Sequence, residues 1–108
     1  VQARGQIEGG VAQGLGLALL EELVLIDGKI ANANFTDYLL PTAMDTPPIE
    51  IAAFIEQPEP GAPFGAKGIG EPPVISSTPA IVAAIRDATG FELNRVPIKP
   101  EDIALNGL

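Results

Sequence analysis

From Gln6 to Val24 the apolar positions recur at helical spacing: Ile7, Val11, Leu15 and Ala18 share one face, and Leu19, Leu20 and Leu23 widen it. The pattern predicts a helix buried on several sides. Gly9, Gly10, Gly14 and Gly16 lie inside it, each costing about 1 kcal/mol relative to alanine. Gly10, Gly14 and Ala18 fall four residues apart and line one ridge along which another backbone can come close. A sheet is the expected partner of that ridge. The arrangement is also compatible with a ligand at the glycine-rich first turn, where helix amides are free.

Two short apolar runs flank Asp27-Gly28, a strong hairpin signal. Residues 32–44, with Phe35, Tyr38 and Pro41, read as irregular chain with a turn of helix. Ile49 to Glu56, bounded by prolines, reads as a strand, and 56–63, rich in proline and glycine, as loop. A second helix is expected after Ser77 or Thr78 as N-cap, with Pro79 in its first turn, Ile81, Val82, Ile85 and Ala88 on its buried stripe and Gly90 past its end. Residues 96–108 read as a short extended piece and a terminal helical turn opened by Pro100, whose acids Glu101 and Asp102 suit the helix dipole. The predicted class is α+β: a small mixed domain with a buried glycine-rich N-terminal helix, a short antiparallel hairpin or sheet, and a second helix.

The chain has 108 residues, the size of one domain with a modest core. It is 46% apolar and 19% charged, less charged than the roughly 25% of ordinary soluble domains, which predicts a piece that packs against something larger. The absence of an initiator Met from the opening VQARGQ supports the same expectation. Fourteen acids against six scattered bases give a formal charge of −8 and no basic stripe, so nucleic-acid binding is excluded as an expectation. No apolar run reaches membrane length, because Glu21 and Glu22 interrupt the longest one. With no Cys and no His, disulfides, zinc sites, iron–sulfur ligation and a histidine base are all unavailable.

The stretch PFGAKGIGEPPV, residues 63–74, holds one acid, Glu71, between glycines and two prolines. Gly65, Gly68 and Gly70 permit close approach of backbone to a ligand. Pro72 and Pro73 are expected to push Glu71 and Pro72 into extended geometry. The result is a carboxylate on a stiff strut beside a ribbon of exposed amides. If closed to water, the site disfavours the anion and makes the carboxylate a better proton acceptor. The plain alternative is a sharp loop with Glu71 solvated at the surface. A phosphate loop fits poorly, since GAKGIGE lacks the glycine–lysine–serine/threonine ending. Elsewhere the default roles are structural: Glu21 and Glu22 a solvated edge, Glu8 a partner of the helix dipole, Tyr38 a half-buried aromatic. Gln6, an amide entering the glycine-rich turn, is a candidate ligand contact.

GQIEGGVAQGLGLALLEEL at residues 5–23 and GAKGIGEPP at 65–73, with NFTDYLLP between them and AIRDATG after them, resemble the C-terminal part of the large, molybdenum-binding subunit of the xanthine oxidase and aldehyde oxidoreductase family of molybdenum hydroxylases. The resemblance spans nearly the whole chain. It implies that residues 1–108 are one C-terminal piece of a molybdopterin-binding domain, in an enzyme that hydroxylates an aldehyde or heteroaromatic carbon with water. By the same resemblance Glu71 is the general base, Gln6 a cofactor contact, and the amides of Ala66, Lys67 and Gly68 line the pterin pocket. The cofactor is molybdopterin, with the cytosine dinucleotide as one form, and its dithiolene supplies the sulfur ligands, so no metal ligand is expected from this chain. Iron–sulfur and FAD groups are expected in other domains or subunits. Implied partners are the remainder of the molybdenum subunit, those redox partners and a small-molecule substrate. A cytoplasmic location is implied, with the periplasm as the alternative. The resemblance implies that the isolated piece is inactive; the rival reading is a non-catalytic remnant or packing module that keeps the family fold.

Overall fold

Two 18-residue helices lie side by side in the computed structural model, which describes residues 1–105. Helix α1 spans Gln2–Leu19 and α2 spans Pro72–Thr89. Between them lies a two-stranded antiparallel hairpin, β1 (Leu25–Ile26) and β2 (Lys29–Ile30), with Leu25 opposite Ile30 and Ile26 opposite Lys29. A 3-10 turn at Pro63–Gly65 precedes α2, and α3 (Pro100–Ala104) follows it. This is the α+β arrangement expected, with a very small sheet. Asn106, Gly107 and Leu108, part of the predicted terminal segment, lie outside the described residues.

The glycine ridge of α1 packs against a helix and not a sheet, which corrects the expectation. Gly10 faces Pro73, and Gly14 faces Ser77 and Thr78. Thr78 Oγ1 also donates to the Gly14 carbonyl at 3.1 Å. Contacts therefore advance along both helices in the same sense: α1 and α2 are parallel, with their N-terminal ends together. The missing side chains are what permit the close approach. A β carbon on Gly14 would collide with the Ser77 hydroxyl, and one on Gly10 would stand 2.5 Å from Pro73 Cβ.

Helix α1 begins four residues before Gln6 and stops at Leu19, short of the predicted Val24. Tertiary contacts end it. The Glu21 N–H turns back to Gly16 O at 2.8 Å, and buried Asn32 clamps the chain beyond, accepting from Val24 N at 2.9 Å and donating to Glu22 O at 2.6 Å. Farther on, Ile98 N donates to Ala18 O at 2.7 Å, which straps the C-terminal segment across the end of α1. Leu19 thus closes the helix, while Leu20 and Leu23 lie in the turn beyond it and not in a further helical turn.

Helix α2 starts five residues before the expected Ser77. Pro72 and Pro73 occupy its first positions, where absent N–H groups cost nothing, so Pro79 falls inside the helix. Glu71 has φ −87° and ψ −36°, helical and not extended, and Pro72 is helical too. The bias of a pre-proline residue against this region is offset because Glu71 O accepts from both Val74 N (3.0 Å) and Ile75 N (3.1 Å). Ser77 and Thr78 serve the helix interface instead of a cap. Gly90, at φ +73°, ends α2 as expected.

The hairpin forms as predicted, with positive φ at both Asp27 (49°) and Gly28 (74°). The strand expected at 49–56 does not form: the segment carries no ladder among the described residues. Its alternation of half-buried Ile49 and Ile51 with exposed Glu50 remains, without a neighbour to pair with. Pro100 opens α3 as predicted, and Asp102 caps it, accepting from Lys99 N at 2.9 Å and from Arg95 Nη2 at 2.6 Å.

The core is thin. Among the described residues the buried aliphatic side chains are Ala18, Leu93 and Ile98, while Phe35, Met44, Ile55 and Phe64 are almost fully exposed. The accessible surface is 8238 Å², against roughly 5,700 Å² for a compact monomer of this mass. The radius of gyration is 17.1 Å, against about 13 Å for a compact chain of this length.

Candidate active site

Parallel packing of α1 and α2 brings the two motifs singled out in the sequence to one end of the molecule. Gln6 lies one turn before Gly10 on the same face of α1, and Glu71 lies two residues before Pro73 at the start of α2. Contact at Gly10 and Pro73 therefore carries Gln6 to the loop that bears Glu71. A β carbon on Gly70 would lie 3.9 Å from Gln6 Oε1, ordinary van der Waals contact. Side chains 65 positions apart in sequence thus flank one spot.

The loop leading to Glu71 is held at its base and open at its tip. Pro63–Gly65 closes a tight turn in which Gly65 N donates to Ala62 O (2.9 Å), Ala66 N to Pro63 O (3.1 Å) and Glu59 N to Gly65 O (3.1 Å). Gly65 has φ +68° and is pressed against Pro58, so no other residue fits there. Phe64 also adopts a left-handed backbone, at φ 56°, and its ring is fully exposed. No sequence signal marked Phe64, since an aromatic residue in this region is rare and its strain is visible only in the backbone.

Beyond that turn, the amides of Lys67, Gly68, Ile69, Gly70 and Glu71 donate no hydrogen bond within the described residues. Pro72 and Pro73 have no N–H to add. The expected ribbon of free amides is present, starting at Lys67 and not at Ala66, whose N–H is spent in the turn. Lys67 Nζ reaches back to Ile55 O at 3.4 Å, and Gly68 has no atom within 4 Å of a built β carbon. Ala66, Lys67, Gly68, Gln6 and Glu71 are all exposed. The Glu71 side chain is open to water here, and hollows open elsewhere, between α2 and residues 93–96 and beside the hairpin.

Glu8, Glu21 and Glu22 are tied into the scaffold. Glu21 and Glu22 are not a solvated edge: Glu21 accepts from Tyr38 Oη at 2.6 Å, and Glu22 pairs with Lys99 at 2.5 Å. The hydrogen bond to Glu21, with burial and the charge of Glu21 behind it, raises the Tyr38 phenol above its usual range and keeps it protonated. Glu8 pairs with Arg4 at 2.8 Å instead of meeting the first turn of α1. The described residues contain no cluster of three or more potential metal ligands. No described helix is long and apolar enough to cross a membrane.

A family described as the molybdopterin cofactor-binding domain matches residues 1–47. The chain is 41% identical to the xanthine dehydrogenase molybdenum-binding subunit of Escherichia coli O157:H7 over 98% of its own length and 15% of that subunit. It is 40% identical to the aldehyde oxidoreductase of Megalodesulfovibrio gigas over 92% of its length and 11% of that enzyme. The structure superposes on quinoline 2-oxidoreductase from Pseudomonas putida 86 with a TM-score of 0.84 and 42% identity, covering 94% of this chain and 13% of that one. These relatives are oxidoreductases, and this chain spans a small part of each. The two motifs, the helix pair that joins them and these similarities together place the chain in the molybdenum hydroxylase family, as a segment homologous to its molybdopterin-binding subunits.

Proposed function

We propose that this chain is the C-terminal section of a molybdenum subunit whose complete enzyme hydroxylates an aldehyde or heteroaromatic carbon with oxygen from water, and that Glu71 is its general base. The observation that carries this reading is the meeting of Gln6 with the Gly70–Glu71 loop at the shared end of α1 and α2. The residues present suit a pterin-held molybdenum. Five consecutive free amides and a primary amide offer donors to its polar edge, and no thiolate or imidazole is available to compete for the metal. When bound, the molybdenum centre takes up the two electrons released as the substrate carbon is oxidised.

Each residue has a separate task. Gln6 holds the polar edge of the cofactor through its side-chain amide. The amides of Lys67 and Gly68, with those of residues 69–71, hold further acceptors; the Ala66 N–H is already engaged. Glu71 Oε takes a proton from the nucleophilic oxygen, a role that demands fixed position more than any particular binding strength. Fixed position comes from its place at the mouth of α2, with its carbonyl bonded to Val74 and Ile75. The remainder of the subunit closes the site, because in this chain Glu71 is open to water. Iron–sulfur and FAD groups would be held by other domains or subunits of the complex and would serve as electron acceptors there, and the cytosine dinucleotide is one form the pterin would take.

Glu71→Gln in the complete enzyme tests the reading. The amide keeps the shape and loses the proton acceptor, so turnover is expected to fall about 10²- to 10⁴-fold while molybdenum content stays at the wild-type level. Retained turnover overturns the assignment.

A further inference from the structure

The ridge of α1 has a second use beyond packing. A β carbon at Gly10 would stand 2.5 Å from Pro73 Cβ, 3.2 Å from Pro73 Cγ and 3.3 Å from Val74 N. Pro73 is a buried ring locked in the first turn of α2, two residues from Glu71. A ring cannot swing aside as the tip of a long side chain can. At Gly14 the nearest atom is the Ser77 hydroxyl, which can turn away, and behind it Ser77 Cβ at 3.0 Å and Thr78 N at 3.2 Å also crowd a β carbon. Gly10 differs in that its nearest atom belongs to a ring and it sits closer to Glu71. Gly9, the neighbouring residue, faces open space in this chain.

We propose that Gly10 is a positioning residue for the base: its missing side chain lets Pro73 seat directly on α1, which fixes where Glu71 stands relative to Gln6. The proposal rests on the reading of Glu71 as the base. A methyl group at residue 10 must drive the start of α2 outward until Pro73 reaches ordinary contact, a retreat of about 1 Å. Gln6, on the same helix as Gly10, does not follow. The base and the cofactor contact therefore separate, and a 1 Å misplacement costs on the order of 10²-fold in rate.

The test uses the complete molybdenum subunit. Crystal structures of the Gly10 and Gly10→Ala proteins are compared first. The Gln6-to-Glu71 separation is expected to grow by roughly 0.5–1 Å, and an unchanged separation overturns the proposal without reference to activity. Turnover of xanthine, benzaldehyde or quinoline is measured next, on whichever of these the wild type oxidises. In Gly10→Ala, kcat is expected to fall about 10- to 100-fold, with KM within about two-fold and molybdenum content unchanged. Wild-type kcat, or a loss that tracks missing molybdenum, overturns it.

Pro73→Gly supplies the coupled measurement. It removes the obstructing ring, so Gly10→Ala added to that background is expected to cost less than about three-fold; an equal loss in both backgrounds overturns the proposal. If Gly10→Ala does not fold, the Pro73→Gly subunit decides alone. Its freed helix start is expected to lower kcat with molybdenum retained, and wild-type kcat there is the overturning result. Glu71→Gln separates the two readings. If it stays active, the base assignment falls and this proposal with it; if it is inactive while Gly10→Ala is normal, only the positioning role falls.

Discussion

Asn32 shows how much one buried amide decides at the scale of a residue. Its Oδ1 and Nδ2 occupy two backbone groups of the chain just beyond α1, Val24 N–H and Glu22 C=O. Replacing it with alanine leaves both groups short of partners in a part-buried spot, at a cost of about 1 kcal/mol. In the complete subunit, Asn32→Ala is expected to speed hydrogen exchange at the Val24 amide several-fold, while amides in the middle of α1 keep their rates; unchanged exchange at Val24 contradicts the role. In the sequence Asn32 sat in an irregular stretch with nothing to mark it, because its partners lie eight and ten residues away. Glu71 stood out as a candidate for the opposite reason: it is the single acid of a stretch of glycines and prolines, and its immediate neighbours mark it. Its geometry was not legible. Pre-proline sterics argue for extended backbone, and a helix that begins on those prolines overrules them.

Each element carries a prediction of its own. The cap of α3 depends on Asp102, whose carboxyl is held below the usual carboxylate range by the Lys99 N–H first and by Arg95 next. A depressed folded-state value contributes stability above the unfolded value of about 4, and that contribution is lost as pH falls through the folded value. The protection of the Lys99 amide is therefore expected to be flat from pH 8 to 5 and to drop only in stronger acid. In Asp102→Asn the acid-dependent step is expected to disappear. A step near neutrality rules out this account. Residues 49–56 supply the second case. Their alternation and flanking prolines read as a strand, yet strands need a neighbour, and among the described residues none is offered. In the complete subunit this segment is expected to pair as an edge strand, with slowed exchange at alternate amides; uniform fast exchange there removes the prediction.

At the scale of the molecule, surface and core disagree with independence. About 2,500 Å² more surface is exposed than a compact chain of this mass shows, and among the described residues no large side chain is fully buried. So little apolar burial does not balance the conformational entropy of ordering 105 residues. The isolated 108-residue chain is expected to show no cooperative thermal unfolding by circular dichroism and to bind a hydrophobic dye. A sharp two-state melt refutes this. The same deficit accounts for the composition: the high apolar and low charged fractions fit surfaces covered by the rest of a larger subunit, of which this chain matches 11–15% in the curated relatives compared above.

By itself the sequence determined whatever depends on neighbours in the chain: the Asp27-Gly28 hairpin, the glycine stop of α2, the proline start of α3, the small-residue ridge and the suspicion attached to Glu71 and Gln6. Those features follow from torsional limits and periodicity within a few residues. Only the tertiary structure decided that the ridge meets a helix and not a sheet, that α1 and α2 run parallel, and that Gln6 and Glu71 share one end of the pair. Such facts depend on contacts between residues more than sixty positions apart, where a proline ring seated on a glycine outweighs any local preference.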